Sequence, residues 1–157
     1  MGYKTTQATL QAKLGVKVAR AAADIINGAQ VPLFNILAGK ILLTHLEMEI
    51  SVAAVDAGAS NCQFLTTPTT GAAMALCANL NVISSVIGSV FSISGLITDA
   101  LTGLPAGGGA AAMHQGVVVP IGTIDILTSA DRGTGGALGA VRIWYLPLDA
   151  GAYVTAT

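Results

Sequence analysis

Charge is scarce in this sequence. Only 10% of its 157 residues are Asp, Glu, Lys or Arg, where a soluble monomer keeps about a quarter. The 42 residues 57–98 carry no charge at all. Such a stretch either enters a membrane or forms sheet whose surfaces are covered by protein. The best spanning candidate, 79–98, has the roughly twenty residues that a bilayer core requires. It also holds Asn81, Ser84, Ser85, Ser89, Ser92 and Ser94, with Gly88 and Gly95. No Trp or Tyr flanks it, and no Lys or Arg lies near either end to set an orientation. Its residues alternate instead. In 88–95 (GSVFSISG), Phe91 and Ile93 share one face and Ser92 and Ser94 the other, the period of a half-buried strand. The expectation is therefore several strands and no membrane partner. No unbroken apolar core follows the first basic residues, so no signal peptide is read there.

Cysteine and aromatics are also rare. Cys62 and Cys77 are the only thiols and lack metal-ligand spacing. Each lies in an apolar, strand-like context, so both are expected as small buried hydrophobes. A disulfide between them would require an oxidising compartment. An aromatic share of 4% leaves no platform for stacking sugars or bases. The net charge of −1 conceals an asymmetry. Residues 1–40 hold Lys4, Lys13, Lys17, Arg20 and Lys40 against Asp24, five cations to one acid, net +4. Residues 41–157 hold Arg132 and Arg142 against seven acids, net −5. A basic leading segment on a mildly acidic body suggests docking onto something acidic, such as a neighbouring subunit. Dispersed cations with only Tyr3 among them make a poor nucleic-acid surface, so no nucleic-acid partner is expected.

The sequence does contain alternation, glycine and turns. One domain is expected, with 1–28 as a part-helical N-terminal arm and 29–157 as the β domain. In the arm, Leu10, Leu14, Val18, Ala22 and Ile25 recur at helical spacing and Gly28 could cap the end. Against this, Gly15 interrupts and Val16 to Val18 alternate with Lys17. Strands are expected over 31–37 and 41–55. In the second, Leu46, Met48, Ile50 and Val52 face inward while Glu47, Glu49 and Ser51 face out. Further strands are read at 61–67, 73–78, 80–83, 88–95, 117–129, 139–148 and 151–156. Residues 103–112 (GLPAGGGAAA) read as a small-residue loop. A glycine-rich hairpin loop, 131–136, is expected to join the 117–129 and 139–148 strands. Roughly eight strands with turns between them indicate an all-β, jelly-roll-like antiparallel sandwich.

The search for chemistry yields little. His45 stands on the polar face of its strand in register with Glu47 and Glu49. The three potential ligands are about 7 Å apart at each step, too wide for one ion without bending. His114 lies in the small-residue loop. No G-x-S-x-G elbow occurs, and neither glycine-rich loop leads into Gly-Lys-Ser/Thr. No catalytic, cofactor-binding or metal residue is assigned, no cofactor is expected, and the chain is read as no enzyme. Trp144 and Tyr145 are expected on opposite strand faces, one in the core and one at the surface.

Taken in order, several segments carry a resemblance: LFNILAG (33–39) with KILLTHLEMEISV (40–52), ALCANLNV (75–82), GVVVPIGTIDILT (116–128) and VRIWYLPLDAGAYVTA (141–156). Together they resemble small virion structural proteins of tailed bacteriophages, of the capsid decoration or cement type. VVVPIGTIDI and WYLPLDAGAYV are the most specific pieces, and none of them is catalytic. The resemblance covers 17–157. It implies a β-sandwich subunit on the outer face of the shell, with the major capsid protein as partner and a homo-oligomeric state such as a trimer. The protein would be made in the host cytoplasm and reside on the virion capsid surface. Two alternatives stand beside it: a phage tail or fibre component that contacts a receptor, and a stand-alone carbohydrate-binding jelly roll.

Overall fold

A computed structural model describes residues 15–22, 30–51, 61–82, 85–103, 115–129 and 140–157. Among the described residues there are twelve strands and no helix. The strands are β1 (Val16–Arg20), β2 (Gln30–Leu37), β3 (Ile41–Glu49), β4 (Asn61–Pro68), β5 (Met74–Ala75) and β6 (Leu80–Asn81). They continue as β7 (Val90–Ser92), β8 (Thr102–Gly103), β9 (Val117–Val119), β10 (Gly122–Thr128), β11 (Val141–Pro147) and β12 (Tyr153–Ala156). Sheet I runs β1-β11-β3-β7-β8, with β9 also paired to β3. Sheet II runs β12-β2-β10-β4-β5, with β6 also paired to β4. All strand pairs are antiparallel. The expected all-β sandwich is the observed architecture, and this strand order does not by itself establish a jelly-roll winding.

The centre of sheet I is β3, and its sequence explains its shape. A strict alternation through 41–49 would turn Leu42 and Thr44 inward and Ile41 and Leu43 out. The register instead passes from Trp144 opposite His45 to Tyr145 opposite Leu43, leaving Thr44 as an extra residue. This β-bulge reverses the phase. Ile41 and Leu43 before it, and Leu46 and Met48 after it, are all fully buried. A similar shift in β2 skips Leu33 between the partners of Ile124 and Asp125, and both Leu33 and Phe34 are fully buried. Phe34, Phe64 and Phe91, every phenylalanine of the chain, lie in the core. Each large side chain buried there contributes about 1.5–3 kcal/mol.

The two sheets are tied at both flanks. On one, Ala78 N–H donates to the Asp99 carbonyl (2.7 Å) beside a parallel bridge between Ala78 and Ala100. On the other, Arg20 Nε donates to the Thr157 carbonyl (3.1 Å). Four connections gather at one end of the sandwich, the tip. They are 38–40 between β2 and β3, 69–73 between β4 and β5, 120–121 between β9 and β10, and 148–152 between β11 and β12. Lys40 N–H donates to Asp149 Oδ2 (2.8 Å) and Leu148 N–H to the Lys40 carbonyl (3.0 Å), which joins two of these turns.

Several expectations need correction. The sandwich begins at Val16, inside the stretch assigned to the arm, because the alternation of 16–20 suits an edge strand paired with β11. The remaining helical spacing at Leu10, Leu14 and Ile25 falls outside the described residues, as do His114, the 131–136 loop and most of 103–112. The single strand read over 117–129 is two strands in different sheets. Pro120 has no N–H to give a ladder, and Gly122 takes φ +151°, so the chain leaves sheet I there and enters sheet II. Consequently β10 and β11 lie in different sheets and form no hairpin. The serines of 85–94 do not face outward into solvent. Ser85, Ser89, Ser92 and Ser94 are all buried. Ser92 Oγ lies 3.2 Å from Thr102 Oγ1, and Ser94 Oγ donates to Asp99 Oδ2 (2.8 Å) while accepting from Leu96 N–H (3.1 Å).

Two substitutions test this packing in opposite directions. A Cβ at Gly122 would overlap the Thr67 carbonyl oxygen, so Gly122→Ala should cost about 2 kcal/mol or more. The fully buried Thr128 hydroxyl has no hydrogen-bond partner among the described residues, so the isosteric Thr128→Val should gain about 0.5–1 kcal/mol. Urea unfolding of both variants reads the two signs.

Candidate functional site

The polar groups of sheet I form one ladder across its outer face. Lys17 on β1, Trp144 on β11 and His45 on β3 share one register row. Ala19, Arg142, Glu47 and Ser92 share the next. The Lys17 ammonium stands 5.1 Å from the centroid of the Trp144 ring. The His45 ring lies 5.1 Å from the Trp144 ring, tilted by 56°. His45 Nε2 is 3.5 Å from Glu47 Oε2. Arg142 then spans two acids, donating from one terminal nitrogen to Glu47 Oε1 (2.9 Å) and from the other to Glu49 Oε2 (2.7 Å). These bonds, Glu49 first and then Glu47, raise the Arg142 pKa further above its ordinary value. The His45, Glu47 and Glu49 pattern seen in the sequence is thus brought together, but with a guanidinium between the acids. Its opposite strand supplies that cation from 93 residues away, which no local motif could announce.

This arrangement defines what the face can do. Trp144 has a neighbour on either side, so a sugar or base stacking on the indole would have to displace Lys17 or His45. Both glutamates accept hydrogen bonds from the one Arg142 guanidinium, in geometry that suits carboxylate pairing. Among the described residues no group of three His, Cys, Asp or Glu is placed to hold a metal ion. Tyr145, the other half of the aromatic pair, points inward as expected of one of them, and its hydroxyl accepts from Val154 N–H (3.2 Å).

Along β11 the outer face changes character. Arg142 and Trp144 are followed by Leu146 and then Leu148 towards the tip. Leu146 and Val118 both pair with Leu42 across β11, β3 and β9, which makes an apolar row. Val118 is 54% exposed and Leu148 49%. The tip itself has an open depression of about 220 Å³ lined by Lys40, Thr69, Thr70, Pro120, Ile121 and Asp149.

Elsewhere, polar groups are mostly engaged by the fold. On sheet II, Asp125 is buried, and its Oδ2 accepts from Gln30 Nε2 and Thr67 Oγ1. Cys62 and Cys77 are both buried, and no disulfide joins them. Burial pushes the Cys77 thiol up to about 11, offset in part by a hydrogen bond from Phe64 N–H. A thiol held so far from thiolate is a poor nucleophile at neutral pH. Among the described residues no helix is long and apolar enough to cross a membrane. Comparison with protein-family models, curated proteins and solved structures yields no match.

Two outcomes check this description. Arg142→Ala should cost about 1–2 kcal/mol by leaving two half-buried carboxylates facing each other. Adding Glu47→Gln and Glu49→Gln should recover most of that loss in urea titrations. Cys77 should lower stability as pH rises above about 9. There the unfolded thiol ionises while the folded one stays neutral until about 11, so the unfolded state gains. Cys77→Ala should flatten that alkaline slope, and native Cys77 should resist iodoacetamide at pH 8 until the protein is unfolded.

Proposed function

We propose that this chain is a bacteriophage virion structural protein, a capsid decoration or cement subunit. In this reading it binds the outer face of the shell built by the major capsid protein and acts as a homo-oligomer, without catalysis. The observation that carries the reading is the distribution of its surface. Among the described residues twelve large apolar side chains are substantially exposed, Val118, Ile121, Leu146 and Leu148 around the tip included. Glu47, Glu49 and Arg142, three of the few charged groups that could solvate such a surface, are instead paired with one another across sheet I. A subunit that shows so much apolar surface to water gains from being covered. Burial at about 25 cal/mol per Å² of apolar area is how a cement protein would resist internal pressure on a shell. The two-sheet framework, tied at both flanks, suits a rigid clamp, and the resemblance of 17–157 to decoration-type virion proteins points the same way.

The test is occupancy of the shell. Purified protein should rebind to particles that lack it, and those particles should withstand heat or low salt better afterwards. In a cryo-EM map of the virion, its density should be distributed over the icosahedral shell. Deletion particles of normal stability, or density confined to the tail, would sink the decoration reading.

A further inference from the structure

The tip of the sandwich gathers much of the exposed apolar surface on which the decoration reading rests. Seven of the twelve exposed large apolar side chains among the described residues lie in the four connections gathered there or within two residues of one. Those nearest the depression are Ile121 and Leu148, and the row Leu42, Leu146 and Val118 continues from them onto sheet I. Only two charged groups line the depression, Lys40 and Asp149. Asp149 is held in place by the Lys40 backbone N–H through Oδ2. No ion pair is made by the Lys40 ammonium among the described residues. The surface is therefore a depression in which Pro120 and Ile121 stand beside two threonines, one cation and one anion, and an apolar row continues from it onto sheet I.

We infer that this tip and the adjoining β11-β3-β9 row form a self-association surface whose occupant is a second copy of the chain. Charge complementarity selects that partner. The rim is net neutral and carries both signs, so Lys40 of one copy can face Asp149 of the next while the apolar row and depression close over each other. The same match serves a closed pair or a closed ring, since each copy brings both halves of it. An acidic or basic partner would leave one of the two charges opposed by its like. The depression supplies what interface centres use, a pocket that an apolar side chain of the neighbour can fill while water is excluded around it. This inference rests on the reading of the chain as an assembling subunit, and it names the surface involved.

Sedimentation velocity of the full chain at several concentrations tests it. The wild type should be oligomeric. Ile121→Glu and Leu148→Glu, both at exposed positions, should each raise the dissociation constant by about tenfold or more. Lys40→Glu should weaken association and reverse its salt dependence, because like charges then face each other. Ile87→Glu and Ile97→Glu, at exposed turns away from the tip, should leave association unchanged. Far-ultraviolet circular dichroism and Trp144 fluorescence confirm that each variant is folded. A monomeric wild type overturns the inference. So does an oligomer untouched by the tip variants, or one equally weakened by the variants at 87 and 97. Shell rebinding is scored separately. Tip variants that stay oligomeric while the wild type binds shells defeat the inference alone. Tip-dependent association without shell binding supports the inference and defeats the decoration reading.

Discussion

The extra residue in β3 is the constraint on which the rest of this structure depends. Without the bulge at Thr44, pairing with β11 would send either Ile41 and Leu43 or Leu46 and Met48 to the outer face. All four are fully buried, so either outcome would expose about 3–6 kcal/mol of apolar burial from two large side chains. The same phase reversal places His45 beside Trp144 and Glu47, and Leu42 between Leu146 and Val118. One inserted residue thus divides the outer face of sheet I into a charged half and an apolar half. The division follows from core packing and has its consequence at the surface.

The acids follow a second constraint. Five of the eight lie among the described residues, and every one serves as an acceptor inside the fold. Glu47 and Glu49 receive Arg142, Asp99 receives Ser94, Asp125 receives Gln30 and Thr67, and Asp149 receives the Lys40 N–H. In most domains many carboxylates only face water and keep the particle soluble. Here the described acids stabilise turns, strand pairs and sheet faces. That explains how a chain with 10% charge maintains a defined structure while leaving apolar side chains in solvent.

Much of this was legible in the sequence, and the failures have identifiable causes. The alternation of Glu47 and Glu49 with Leu46 and Met48 located both the core and the polar face. The burial of both cysteines followed from their apolar surroundings, and the opposed Trp144 and Tyr145 followed from strand geometry. The bulges were not legible, because a phase change within ILLTHLEME looks like imperfect alternation until a partner strand fixes the register. Nor was the break within 117–129. Pro120 signalled it through its missing N–H, but the run of β-branched residues on both sides concealed the change of sheet. Arg142 could not be assigned to Glu47 and Glu49 without the pairing of β3 with β11, since contacts that distant in sequence have no local signature. The apolar tip was invisible for a related reason: its residues come from four separate connections, each unremarkable alone.

The uncharged stretch 57–98 illustrates how the location of a polar group changes its meaning. As sequence, its serines suggest an outward face made of hydroxyls, waiting to be covered by another subunit. In the fold, Ser92 and Ser94 are covered by their own chain and bonded to Thr102 and Asp99. At Ser92 and Ser94 the absence of charge is therefore a requirement of burial, since an ion at those positions would need a partner that the interior does not supply. Side chains that are apolar and exposed are what favour assembly, and most of those nearest the tip lie outside the stretch. Val118 and Leu146 are held there by backbone ladders whose register the core determines, and Ile121 and Leu148 by turn hydrogen bonds with Thr69 and Lys40. A surface fixed in that way can lower its free energy only by acquiring a partner.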